Sequence, residues 1–550
     1  MAMSPYHQRP RNLRTHGQNC SFIQDQCFQA YAGPVFLTKM TTLLWLTLLL
    51  FVQSASGQSH SAHPTAAGAR PNILFILVDD MGWNVLSSYG DLYVKTPNID
   101  RLATEGMRFT QAYVPSMCCP SRAEFLSGQY GARTGITEQG AGTTYPHAPL
   151  ITPKHIPNKL PEDNYTIANM LHDAGYATMV SGKWNVGDGY RVAELKAKRG
   201  DQYFKPYGFN YIGDAQEKGW QQIDQDKGDT AIVQDFCQFL QTRDNRPFFA
   251  YLAFFAPHTP IGAPDSLVQQ FLARGFPKST DPFGNAQETP TADFLAMIKY
   301  LDQCIGTLLD SLDQKGLTNN TLVVFMSDNG GMNRDWDNAP LRGAKGVFYE
   351  GGIRVPLLMR WPGHIPQSSQ TDVPVAMIDM FPTFKALADG STPPTKILDG
   401  VSLLPLLTQS GSLGRQALYW HRPQYIHDYG QTPNSTIRLG DYKLIHYYGD
   451  YLDTRGFLPQ RNKPYGRLLL GARNELFNLR TDPGERNNLY GKEPEKARLL
   501  LDSLKHFLQR THASIPLKND QMIRSEWYKH IRTKGPRETQ KVTAQSHFNP

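Results

Sequence analysis

Cysteine is scarce in this sequence: six in 550 residues, with Cys20 and Cys27 near the amino terminus and Cys118, Cys119, Cys237 and Cys304 beyond it. So few, so unevenly spaced, exclude a disulfide scaffold. Cys237 and Cys304 lie in the helical patterns "IVQDFCQFL" and "MIKYLDQCIGTLL", which allow two buried thiols or a single bridge. Blocks of like charge are missing as well. Of the net charge of +7, three belong to residues 1–57, where Arg9, Arg11, Arg14 and Lys39 are opposed only by Asp25. Nothing here offers nucleic acid a basic surface. Apolar runs long enough to span a membrane are also lacking. The stretch "MTTLLWLTLLLFVQSASGQ" from Met40 has an apolar core at 41–52, well short of the ~20 residues a span needs. With Ala55 and Gly57 as small residues for cleavage, it reads as a secretion signal, and translation is expected to begin at Met40. No cysteine follows that would carry a lipid anchor, so the expected location is secreted, or periplasmic and otherwise extracytoplasmic.

What is present is the composition of a large globular protein. Hydrophobic residues make up 40% and charged residues 19%, so disorder is not the default, and 46 glycines and 39 prolines point to many loops between regular elements. After the leader (1–57, signal core 41–52) and a small-residue linker (58–70), "PNILFILVDD" is an apolar run that ends in two aspartates. Such a run is a buried strand with its carboxylates at the carboxyl end. The design recurs in "YATMVSGKW", "PFFAYLAFFAPHTP" and "TLVVFMSDNG", which deliver Lys183, His258, Asp328 and Asn329. Helical patterns such as "NIDRLATEGM" and "TIANMLHDAG" lie between them. Strand alternating with helix predicts an α/β fold with a largely parallel central sheet flanked by helices over 71–404. Ligands of such sheets bind beyond the carboxyl ends of the strands. From about residue 405 the pattern becomes alternating and turn-rich ("ALYWHRPQY", "STIRLGDYKLIHYY", "NELFNLRTDPGERNNL"), then helical, with an apolar stripe of Ala497, Leu500, Leu501, Leu504, Phe507 and Leu508. This predicts a smaller C-terminal α+β domain with an antiparallel sheet over 405–515, followed by a polar tail at 516–550.

Asp79, Asp80, Asp328 and Asn329 offer only hard oxygen donors, the preference of Ca²⁺ or Mg²⁺ rather than zinc. Around them the strand ends and loops add Arg122, Lys183, His258 and Lys345, the last in "LRGAKGVFYEGGIRVP". Cations converging with a metal indicate a tetrahedral oxyanion substrate, a sulfate or phosphate ester. The stretch "CCPSRAEFLSGQYG" from Cys118 places two cysteines before a proline expected at the first position of a helix. A helix N-terminus favours an anion, so either cysteine could be a nucleophile there, or both could be buried small hydrophobes.

These residues resemble the formylglycine-dependent sulfatases of the alkaline phosphatase superfamily, and the chain is arylsulfatase-like from residue 71 to about 515. The motif is Cys-x-Pro-Ser-Arg followed by Leu-Ser/Thr-Gly, here Cys118 to Arg122 with Leu126-Ser127-Gly128. The resemblance implies that a formylglycine-generating maturation enzyme oxidises Cys118, that Cys119 fills the variable position, and that the hydrated aldehyde attacks sulfur with one hydroxyl and ejects sulfate when the other loses its proton. It further implies Asp79, Asp80, Asp328, Asn329 and the modified Cys118 as Ca²⁺ ligands. Arg122 would steady the formylglycine, Lys183 and Lys345 would bind sulfate, and His258 would bind sulfate or protonate the leaving alcohol. One position departs: the family's Gly-Lys-Trp-His-x-Gly reads "GKWNVG", so Asn185 replaces a histidine that assists collapse of the intermediate. The expected activity is sulfuric ester hydrolysis on a sulfated carbohydrate or an aryl sulfate. Two alternatives are a phosphatase or phosphonate monoester hydrolase on the same scaffold, and a non-enzymatic sulfoglycan-binding relative, for which Asn185 is the sole support. Trp420, His421, Tyr425 and His427 could approach the pocket mouth or pack between domains.

Overall fold

The run at 72–78 has no polar face because both of its faces are covered. In the computed structural model, β1 (Asn72–Val78) lies inside a nine-stranded sheet. The structure describes residues 70–523 apart from 92, 140–144, 154–156, 215–225, 281–289, 333–336, 427–431, 454–466 and 470, and omits the side chains of 451–453 and 467–469. The expected secretion signal and His427 therefore lie outside the described residues.

The other strands of this sheet are β2 (Met107–Tyr113), β3 (Ala177–Gly182), β4 (Tyr211–Ile212), β5 (Phe248–Ala253), β6 (Thr321–Ser327), β7 (Arg354–Arg360), β8 (Ser369–Thr371) and β9 (Val375–Ala376). Their order is β9-β2-β7-β6-β1-β5-β3-β4, with β8 also beside β2. All pairings are parallel except those of β7, which runs against both β6 and β2. The period of two along β1 sends Ile73, Phe75 and Leu77 into one core and Leu74, Ile76 and Val78 into another. The first core is covered by helices containing Phe125, Met170 and Phe384, and the second by helices containing Leu102, Phe236 and Leu301. The result is a three-layer α/β architecture.

The antiparallel sheet consists of β10 (Ala417–Arg422), β11 (Asn434–Leu439), β12 (Tyr442–Tyr447) and β13 (Arg473–Asn478), in that order. A tight Gly440-Asp441 turn joins β11 to β12, and Gly440 supplies its positive φ of 59°. The helix Pro494–Arg510 buries Ala497, Leu500, Leu504, Phe507 and Leu508 against this sheet, while Leu501 is only partly covered. Cys118, Cys119, Cys237 and Cys304 are separate thiols, so the allowed 237–304 bridge is not formed. Leu517–Lys518, at the start of the polar tail, pair with Leu150–Ile151. Among the described residues no helix is long and apolar enough to cross a membrane.

Candidate active site

Parallel pairing brings the polar strand ends to one edge. Val78 stands opposite Ser327 in register, so Asp79-Asp80 and Asp328-Asn329 leave the sheet at the same level. Backbone bonds extend the ladder past both strands: Asp328 N–H donates to the Val78 carbonyl at 3.0 Å, and Asp79 N–H to that of Ala256 at 3.1 Å. Asp80 turns sharply with φ 68°, a conformation aspartate tolerates better than most residues. Lys183 follows β3 directly, its N–H bonded to the Ala253 carbonyl at 2.8 Å. His258 comes five residues past β5.

The cysteine pair opens α1 (Cys118–Ser127), which begins two residues earlier than proline placement predicts. Pro120 is the third residue, where its missing N–H is still one of the four without an intrahelical acceptor. Gly128, at φ 65°, ends the helix in the left-handed region. The two thiols point apart. Cys119 belongs to the apolar core, its sulfur 3.7 Å from the Asn158 carbonyl oxygen, whereas Cys118 Sγ lies 3.4 Å from Asp79 Oδ1. Burial, with Asp79 next to it, pushes the Cys118 thiol well up. Burial pushes Cys119 up to about 12.

Every carboxylate here faces a cation. Asp79 pairs with Lys183; Asp80 Oδ1 lies 2.6 Å from Lys345 Nζ, and Asp80 Oδ2 lies 3.7 Å from His258 Nε2. Arg122 donates to Asp328 Oδ2 through Nη2 at 2.7 Å and Nε at 3.2 Å, and its Nη1 reaches the Lys183 carbonyl at 3.0 Å. Burial opposes ionisation of Asp79, but Lys183, with His258, Lys345 and Arg122, holds its carboxyl well below the usual range. Burial and the neighbouring Asp79 push Asp328 up to about 6 against the pull of Arg122. Burial lowers His258 to about 4, and its Nδ1 sits 2.5 Å from the Thr259 carbonyl oxygen.

The oxygens of Asp79, Asp80, Asp328 and Asn329 suit a hard cation, whereas the Cys118 thiol and the His258 imidazole beside them are softer donors. Donor atoms of Asp79, Asp80, Cys118 and His258 lie within 4.8 Å of one another. Asn329 Nδ2 donates to Asp80 Oδ1 at 2.7 Å, and Asp328 Oδ1 accepts from Asp80 N–H at 3.2 Å. Asp80 Oδ2 and Asn329 Oδ1 are buried acceptors without a hydrogen-bond partner among the described residues, as expected of oxygens that serve a cation. Asn185 stands two residues past Lys183 at φ 53°, its Nδ2 buried and likewise without a hydrogen-bond partner.

Two further residues join the site. Tyr251, hidden in the apolar run of β5, brings its hydroxyl to 3.3 Å from Arg122 Nη1. Lys227, in what looks like a solvated turn ("DQDKGD"), donates to the His258 carbonyl, and burial, partly offset by Asp79, lowers it to about 8. No sequence signal separates either from its surroundings. By contrast, Trp420 donates to the Val114 carbonyl at 2.9 Å and so packs the antiparallel sheet against the large one, while His421 bonds to Ser435 of the neighbouring strand and to the Ser514 carbonyl past the C-terminal helix.

Comparison with known proteins gives the family. The family model described as sulfatase matches residues 71–391. The chain belongs to the sulfatase family. A second model, N-sulphoglucosamine sulphohydrolase, C-terminal, matches residues 344–464. A sulfatase of Formosa agariphila is 32% identical over 84% of this chain and 91% of its own. N-acetylgalactosamine-6-sulfatase of Canis lupus familiaris is 29% identical over 80% of this chain and 84% of its own. Among solved structures, Ps i-CgsB in complex with k-i-k-neocarrahexaose superposes with a TM-score of 0.60 at 25% identity, covering 84% of this chain and 97% of that one. The sulfatase described here is thus a sulfuric ester hydrolase with an alkaline phosphatase-like fold.

Proposed function

We propose that this sulfatase removes sulfate from a sulfated carbohydrate outside the cytoplasm, using formylglycine made from Cys118 and one bound Ca²⁺, or Mg²⁺ in its place. The observation that carries this is the position of Cys118 Sγ, 3.4 Å from Asp79 and grouped with the Asp79 and Asp80 carboxylates. The similarity to an N-acetylgalactosamine-6-sulfatase and to a structure in complex with k-i-k-neocarrahexaose supports a sugar substrate. Asp79, Asp80, Asp328, Asn329 and residue 118 would hold the cation, which would offset three carboxylate charges and favour an ionised hydroxyl on its neighbour. Lys183 and Lys345 bring two ammonium groups to the same carboxylates and would neutralise sulfate oxygens as charge builds on them. Arg122 locks Asp328 and the Lys183 backbone together, and His258, beside Asp80, would bind sulfate or protonate the departing alcohol. A desulfation screen of defined sulfated oligosaccharides, with conversion of residue 118 checked by mass, tests the proposal. Chelation should stop turnover and added Ca²⁺ restore it, whereas restoration by zinc alone would contradict a hard-donor site.

Asn185 should leave a kinetic trace. An amide can hydrogen-bond but cannot accept the proton whose loss lets sulfate leave. Alcohol release should therefore show a burst followed by a slower steady rate that rises with pH as solvent base takes the proton. Asn185→His should shrink the burst and add a titration near the reference value of about 6.5. Linear release from the first turnover, unchanged by the substitution, would mean another group takes that proton.

A further inference from the structure

We infer that Arg422, the last residue of β10 in the antiparallel sheet, is a positioning residue that sets the spacing between the nucleophile at 118 and Lys345. Its guanidinium is 1% exposed and forks onto two loops of the catalytic edge. Nη1 donates to the Gly346 carbonyl at 2.6 Å and Nη2 to Ser116 Oγ at 2.6 Å. Those two residues also bind each other, Gly346 N–H donating to the Ser116 carbonyl at 2.8 Å. Ser116 lies two residues before Cys118, and Gly346 directly follows Lys345. The fork thus ties the backbone that carries the nucleophile to the backbone that carries a sulfate-binding ammonium. Glu138 Oε2, 3.4 Å from Nε, balances the buried charge, and the Phe348 ring packs under the guanidinium with its centroid 4.6 Å away.

The arrangement requires arginine. Two separate N–H groups in one rigid plane reach two different loops, which the single ammonium of lysine cannot reproduce. Trp420 docks the same strand against the same segment through a hydrogen bond to the Val114 carbonyl, two residues before Ser116, that involves neither Ser116 nor Gly346. It therefore separates docking from positioning. Loosening a reacting group by about 1 Å costs roughly 100-fold in rate.

The test compares Arg422→Lys, Arg422→Met with Glu138→Gln, Ser116→Ala and Trp420→Phe in the full chain. Each is matched for metal content and for conversion of residue 118, and assayed with an aryl sulfate, with inorganic sulfate as inhibitor. Both Arg422 variants should lose about 30- to 100-fold in kcat at temperatures where they are fully folded, and bind inorganic sulfate more weakly. Ser116→Ala, which releases the nucleophile side alone, should lower kcat with sulfate inhibition unchanged, and Trp420→Phe should lower the melting temperature but not kcat. A kcat within twofold of the parent in the Arg422 variants, or a loss that tracks only the unfolded fraction, would overturn the inference. Because it rests on residue 118 being the nucleophile, Cys118→Ala runs alongside. Activity surviving there sinks that assignment and the inference with it, whereas activity lost there but kept in the Arg422 variants sinks the inference alone.

Discussion

Cys118→Ala should abolish turnover, by on the order of 10⁴-fold or more in kcat, as expected when a nucleophile is removed, while Cys119→Ala should keep most of it. The asymmetry follows from direction. Cys118 Sγ faces Asp79 at 3.4 Å and stands among the carboxylates, whereas Cys119 is a core residue with its sulfur toward Asn158. Removing the Cys119 sulfur leaves a small void, and a loss of roughly 1 kcal/mol in stability is the ordinary outcome of such a change. Peptide mass mapping of active protein should find an aldehyde at 118 and a thiol at 119. Full activity in Cys118→Ala, or an aldehyde at 119, would exchange the two roles and contradict the geometry.

Arg122→Met should have the largest effect on stability, because it strands Asp328. Both side chains of the pair are fully buried, and Arg122 donates twice to Asp328 Oδ2. Breaking a buried pair from one side costs about 3–5 kcal/mol, since the remaining charge has lost both water and partner. Asp328 already stands at about 6 through burial and the adjacent Asp79, and loss of Arg122 moves it further up. A carboxyl raised in the folded state binds a proton that the unfolded chain has released, so its contribution is complete below the unfolded value and declines as pH rises through the folded one. The variant, measured in chelator, should therefore be least destabilised near pH 5 and most destabilised near pH 8. Adding Asp328→Asn to Arg122→Met should recover much of the loss. Equal destabilisation at both pH values, without recovery in the double variant, would show that Asp328 is not the stranded group.

Several features could be read from residue order because they depend on local rules. The polar residues that end apolar runs at Asp79, Lys183 and Asp328 marked strand ends, since a strand buried on both faces stays apolar until it leaves the sheet. The Pro-Ser-Arg after the cysteines, with Leu126-Ser127-Gly128 behind it, carried the family's core motif. The start of α1 was harder to place, because proline is tolerated throughout the first turn and does not mark its first residue. Tyr251 looked like any other aromatic of an apolar strand, and Lys227 like any other turn lysine, since neither hydrophobicity nor spacing tells which way a side chain points.

By itself, then, the sequence pointed to the α/β class, the edge of the sheet that would carry chemistry, and a set of oxygen donors and cations suited to a sulfate or phosphate ester. Those follow from periodicity and from residue type, which act over a few neighbours along the chain. Only the tertiary structure decided that Cys118 and not Cys119 faces the carboxylates, that Arg122 is matched to Asp328 across 206 positions of sequence, and that Arg422 reaches from the antiparallel sheet to Ser116 and Gly346. Each of these is a pairing between segments remote in sequence. It is set by how whole layers pack, and packing is a property of three-dimensional shape that no local pattern encodes.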